Sequence, residues 1–306
     1  WRSKHYARTV LDQVTPDVVH IQSHIVIGRG LARIARQRGI PVIATNHVMA
    51  ENILEHTTMP DAVNRFITKH AWADAKRTFD MTRAVTTPTR RAADFLESTV
   101  AVQNVIPVSC GIDRSQYTPV IAPREKNRIV FVGRLTAEKQ IDVILQAMTK
   151  LDPALDTTFD IVGGGDQRKQ LENLANQLGL GDRVTFHGRT SDDELRMLLS
   201  RASLFVIASI AELQSIATME AMASALPIVA ADAVALPHLV HHGENGYLFE
   251  PGDADALAAR LTDVLTAEPA EYARMQQASL DGVAIHDINR TLDTFEALYR
   301  DAPLPE

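Results

Sequence analysis

The sequence predicts a two-domain α/β protein, each domain a doubly wound parallel sheet. Three observations carry this reading. At 306 residues the chain is too long for one ordinary core. Apolar runs of four to seven residues alternate with longer amphipathic stretches from end to end, the pattern of parallel strands joined by helices. Residues 113–127, with Pro119 and Pro123 and no periodicity, interrupt that alternation and read as a linker.

In the first half the strand candidates are 17–21, 41–45, 84–87 and 104–108, with helical periodicity over 30–38 and 61–83. In the second half they are 128–133, 159–163, 183–188, 204–208 and 227–231, and 288–300 is a last amphipathic stretch. The expected domains are 1–115 and 116–287, with the terminal segment 288–306 returning to the first. The chain opens at Trp1 and enters a strand-like run within about twenty residues, so the first domain is expected to lack strands at its N-terminus. Ligands of such sheets bind at the carboxyl ends of the strands.

Composition narrows the function classes. The hydrophobic fraction of 45% and charged fraction of 23% are those of a soluble globular protein. There is no apolar run of membrane-spanning length and no leader-like core in residues 1–20, which points to a cytoplasmic protein. The single cysteine, Cys110, excludes an internal disulfide framework and a cysteine-based zinc site. Cys110 reads as structural, since nothing cationic adjoins it in sequence. Residues 1–120 hold 15 Lys/Arg against 10 Asp/Glu, while residues 121–306 hold 16 against 28. The basic half suggests an anionic lipid surface as a partner; no basic-aromatic stripe suggests nucleic acid.

Two motifs carry chemistry. In Val132-Gly133-Arg134-Leu135-Thr136-Ala137-Glu138-Lys139 a buried strand ends at a glycine and two cations follow five residues apart. Close backbone approach, a guanidinium fork and an ammonium suit a diphosphate. In Glu212-Leu213-Gln214-Ser215-Ile216-Ala217-Thr218-Met219-Glu220 two carboxylates bracket a loop and a helix start, with Ser215 as the N-cap. Carboxylates accept several hydroxyl hydrogen bonds, as sugar recognition requires. Glu220 lies in an apolar run and needs a partner.

Together these motifs resemble the large retaining glycosyltransferase family that contains sucrose synthase and the bacterial phosphatidylinositol mannosyltransferases, family 4-like enzymes of the GT-B fold. Gly163-Gly164-Gly165-Asp166, 227–232 and 242–248 match further segments of that family. The resemblance implies two Rossmann-like domains facing across a cleft, a nucleoside diphosphate sugar as donor, no cofactor and no metal. It implies that Gly133, Arg134, Lys139 and Gly163 meet the diphosphate and that Glu220 binds the ribose. It places the base along Phe186, His187, Gly188 and Arg189. Glu212 and the amides of Gln214, Ser215 and Ile216 would meet the donor sugar, and His47, at the end of a first-domain strand, would lie near it. His24 is a weaker candidate of the same kind. Arg134 and Lys139 would also stabilise the leaving group.

The pattern departs from the family in three places. Glu212-Leu213-Gln214-Ser215 stands where Glu-Gly-Phe-Gly is usual, a form that resembles lipid glycosyltransferases. Ala225 stands where glycine is common, and Cys110 where asparagine is usual. The implied donors are GDP-mannose and UDP-glucose, the implied acceptor a diacylglycerol or phosphoinositide lipid, and the implied location the inner membrane face. A nucleotide-sugar epimerase of the same architecture and a nucleotide-sugar binding protein are the rival readings. No Gly-x-Gly-x-x-Gly turn supports a nicotinamide dehydrogenase.

Overall fold

A computed structural model of the chain describes residues 2–47, 61–123 and 127–305. The chain divides into two compact units, Trp1–Gly111 with Ile288–Glu306, and Ile112–Asp287. Both are parallel-sheet α/β units, as the alternating apolar runs predict.

The first unit has a four-stranded sheet of order β1-β2-β3-β4. Its strands are β1 (Val19–Ile21), β2 (Val42–Thr45), β3 (Ala84–Thr87) and β4 (Ile106–Pro107). Every residue of β2 is buried, which is why it reads as an unbroken apolar run. Pro107 lacks the N–H a central strand needs and sits in the edge strand. Among its described side chains helix α1 (Arg2–Val14) buries only Ala7 and Leu11, and it precedes α2 (Val26–Gln37) and α3 (Asp61–Phe79). Helix α4 (Arg90–Phe95) is capped by Thr89, which accepts the N–H of Ala92 at 3.2 Å. The core gathers Ala7, Leu11, Trp72, Phe79 and Leu96 with the strand residues.

The second unit has six strands: β5 (Arg128–Val132), β6 (Thr158–Val162), β7 (Val184–Gly188), β8 (Leu204–Ile207), β9 (Ile228–Ala231) and β10 (Gly246–Phe249). Between them run α5 (Ile141–Met148), α6 (Arg168–Gln177), α7 (Asp192–Arg201) and α8 (Ile216–Ala223), and beyond β10 come α9 (Ala254–Leu265) and α10 (Pro269–Ala284). The order is β10-β9-β8-β5-β6-β7. The chain builds outward from β5 to β7, then returns to lay β8 on the other side of β5. Two neighbouring strands, β5 and β8, therefore send their following loops in opposite directions. That is a topological switch point, where doubly wound sheets bind ligands. Phe131, Phe159 and Phe205 are fully buried in this core.

Strand β10 lies within a segment noted in sequence only as a motif, and α1 was not expected at all. Residues 113–123 belong to the second unit and are more than a spacer: Arg114–Gln116 form a 3-10 turn capped by Asp113, and Tyr117 packs on the core. Helix α11 (Ile288–Arg300) belongs to the first unit, where Thr291 donates to the Ser109 carbonyl at 3.1 Å and the Arg83 guanidinium bonds the carbonyls of Leu298 and Tyr299. No helix among the described residues is long and apolar enough to cross a membrane.

Candidate nucleotide-sugar site

In the second unit, the loops after β5 and β8 meet at the switch point. The Ile210 N–H donates to the Glu138 carbonyl at 3.0 Å, joining the two-cation loop to the start of the Glu212 loop. The glycine turn after β6 closes on the same surface. Gly133 N–H donates to Val162 O, Leu135 N–H to Gly164 O and Gln167 N–H to Leu135 O, at 2.9, 3.1 and 3.0 Å. Gly163 has a φ of +134°, and a Cβ there would lie 1.9 Å from the Gly133 carbonyl oxygen. Only glycine allows these two turns to approach so closely.

The two cations are held differently. The Arg134 side chain is 78% exposed, with Glu138 Oε1 3.8 Å from its Nη2. Lys139 is paired with Glu212, and their side chains are only 12% and 11% exposed. The first predicted carboxylate and the second predicted cation thus form one nearly buried ion pair, while Arg134 remains a projecting arm. Glu138 is itself mostly buried and accepts the Thr136 hydroxyl at 2.6 Å. Burial would raise its pKa, but hydrogen bonds from Thr136 and its own backbone, with Lys139 and Arg134 nearby, leave it lowered. Glu138 therefore stays ionised and balances the cations, a role not assigned to it from sequence.

Ser215 is the N-cap of α8: its hydroxyl accepts the Thr218 N–H at 3.3 Å and the Thr218 hydroxyl at 2.8 Å. The cap leaves the N-terminal end of α8, with its positive dipole, immediately after Gln214. Ile216 is exposed there. Glu220 lies further along α8 and accepts the Tyr117 hydroxyl at 3.0 Å. Its pKa is raised, first by burial and then by Asp192, against the Tyr117 bond and Arg196.

Segment 186–189 closes β7. Phe186 packs against the core, and His187 Nε2 lies 2.7 Å from Asp160 Oδ1. The Phe186 carbonyl accepts from Arg168 at 3.2 Å and the Gly188 carbonyl from Gly163 at 2.7 Å. Arg189 is exposed and approaches Gly164. Ala225 has a φ of 58°, the left-handed conformation that explains why glycine is common there. Its fully buried methyl group offsets part of the strain.

In the first unit, His47 Nε2 lies 2.8 Å from Gln22 Oε1, and partial burial lowers its pKa. Sequence reasoning missed His20, which is central to this polar cluster. Its Nε2 meets the Thr45 hydroxyl and its Nδ1 the Tyr299 hydroxyl, each at 2.7 Å. Burial and the neighbouring His47 lower its pKa to about 4, so it is neutral near pH 7. The available signal was a histidine inside an otherwise apolar strand run, Val19-His20-Ile21. His24 instead sits in the core, 5.4 Å from Phe79 and 6.1 Å from Trp72 by ring centroids, and burial lowers its pKa. The Cys110 thiol is raised by burial, in keeping with a structural role.

The family model for glycosyl transferases group 1 matches residues 115–280, and that for glycosyltransferase family 4 matches residues 1–116. The chain belongs to the glycosyl transferases group 1 family. Its site loops, at the switch point after β5 and β8, fall inside the matched region. The chain is 28% identical to the D-inositol 3-phosphate glycosyltransferase of Mycolicibacterium smegmatis, over 94% of this chain and 67% of that protein. It is 30% identical to the MMP alpha-(1->4)-mannosyltransferase of Mycolicibacterium hassiacum, over 85% of this chain and 64% of that one. The fold matches Anabaena HepE, solved with UDP-glucose, at a TM-score of 0.80 and 20% identity, over 96% of this chain and 82% of that one. Both units thus have the GT-B fold. The chain spans from 36% to 67% of the length of the curated relatives it matches.

Proposed function

We propose that the chain transfers a hexose, mannose or glucose, from a nucleoside diphosphate sugar to an acceptor, with retention of configuration and without a metal. The observation that carries this reading is the Arg134, Lys139 and Glu212 arrangement at the switch point, beside the Gly133 and Gly163 turns. Arg134, exposed and forked, takes the diphosphate bidentately. Lys139 donates one N–H to Glu212 and keeps two for phosphate oxygens, so the ammonium is fixed before the ligand arrives. This fixed charge stabilises the departing diphosphate as an added metal ion would.

Glu212 Oε2 and the amides at the start of α8 receive the sugar, Glu220 the ribose and segment 186–189 the base. The acceptor hydroxyl attacks from the face the diphosphate leaves, and a phosphate oxygen takes its proton. His47, held by Gln22, presents a neutral imidazole in the first unit. The acceptor is a membrane glycolipid of the diacylglycerol or phosphoinositide type, reached from the cytoplasmic side. The net basic first 120 residues and the Glu-x-Gln loop support this reading.

Calorimetric titration with GDP, UDP, ADP and NAD, each without metal, tests the donor site. One nucleoside diphosphate should bind selectively, and Arg134→Ala should weaken it by about 1.5–3 kcal/mol. Because Arg134 projects into solvent, thermal unfolding of that variant should match wild type. Binding of none of the four, or full binding by Arg134→Ala, would remove the assignment.

A further inference from the structure

Residues 113–123 have the composition of a linker, yet they are strapped to the second unit at two points. The buried Gln276 amide of α10 donates to the Val120 carbonyl at 3.0 Å and to the Ala225 carbonyl at 3.2 Å. Tyr117, between that anchor and the capped 3-10 turn, donates its hydroxyl to Glu220 Oε1 at 3.0 Å across 103 residues of sequence.

We propose that Tyr117 is a positioning residue for nucleoside recognition, orienting the Glu220 carboxylate and keeping it ionised to accept the ribose hydroxyls. The inference rests on Glu220 as the ribose ligand. A partly buried carboxylate beside Asp192 favours the neutral acid, which would lose one acceptor oxygen to a proton. The groups facing Glu220 are Tyr117 from the strap and Asp192 and Arg196 from α7. Of these, Tyr117 gives it a direct hydrogen bond and Arg196 favours ionisation from further away. The tyrosine bond occupies one lone pair of Oε1 and leaves the other acceptor positions for a vicinal diol. Asp192 opposes the tyrosine.

The test compares Tyr117→Phe, Glu220→Gln and the double variant in calorimetric titrations with whichever of GDP and UDP the wild-type chain binds, and with its 2′,3′-dideoxy analogue. Tyr117→Phe keeps the ring that packs on the core and should weaken the ribonucleotide about tenfold, the range for a hydrogen bond to a charged group. It should leave the dideoxy analogue unchanged and add nothing in the Glu220→Gln background. With the tyrosine bond gone, the Glu220 pKa rises, so binding should be lost at a higher pH than in wild type on acidification. Equal weakening of both nucleotides, or an unshifted pH profile, would make Tyr117 a packing residue and overturn the proposal. Weakening in Glu220→Gln without any in Tyr117→Phe would overturn it while leaving the donor site intact. Unchanged binding in Glu220→Gln would instead remove Glu220 as the ribose ligand.

Discussion

Lys139→Ala is expected to lower the free energy of unfolding by about 3–5 kcal/mol, the cost of leaving one partner of a nearly buried ion pair alone. The Glu212 carboxylate, 11% exposed, would lose its cation and either stay charged in a poorly solvated place or take up a proton. Replacing both partners with methionine should recover most of the loss, because the pair's mutual attraction and its desolvation largely cancel. Urea unfolding of the two single variants and the double variant checks this. A loss below about 1 kcal/mol in Lys139→Ala would mean that water reaches and screens the pair. Arg134→Ala and Lys139→Ala, equivalent from the sequence, should thus separate: one loses affinity alone, the other affinity and stability.

Acidification from pH 6.5 to pH 4 should remove about 3 kcal/mol of stability through His286. This side chain is 4% exposed, and its ring centroid is 5.7 Å from that of His238. Burial, then His238, lowers its pKa from 6.5 to about 4. As pH falls below 6.5 the unfolded chain takes up the proton while the folded chain does not. Stability is therefore full above pH 6.5, and between there and pH 4 it falls by about 1.4 kcal/mol per pH unit before levelling off. His20 is lowered to a similar value, but it is only partly buried and solvent reduces its contribution. His286→Leu should flatten the slope in urea titrations at about pH 7.5 and about pH 4.5, on either side of the fall, while the His286 carbonyl still accepts the Ile112 N–H. A slope unchanged in that variant would place the acid sensitivity elsewhere.

The strands of the second unit were legible because β8 and β9 are buried on both faces and so read as continuous apolar runs. Helix α1 was not, because its described side chains bury only Ala7 and Leu11 and leave Tyr6, Val10 and Val14 exposed, so charge dominates the pattern. Strand β10 is four residues long, two of them only partly buried, and cannot be told from a loop by periodicity. The cation and carboxylate motifs could be found one at a time. Their pairing could not, since 73 residues separate Lys139 from Glu212 and nothing local couples them. Tyr117 was hidden for the opposite reason: its neighbours look like a linker, and its partner is supplied by a distant helix, α8.

Ile112 bridges Asp287 and donates its N–H to His286 O at 2.8 Å, so the chain enters and leaves the second unit at one point. That unit is an insertion with paired ends, complete as soon as residue 287 has been synthesised. The first unit is begun earlier yet finished later, because Tyr299, which holds His20, lies in the last helix. The usual order, in which the N-terminal domain of a nascent chain matures first, is therefore reversed here. A ribosome stalled once residue 287 has emerged would carry a second unit able to fold and a first unit still waiting for α11.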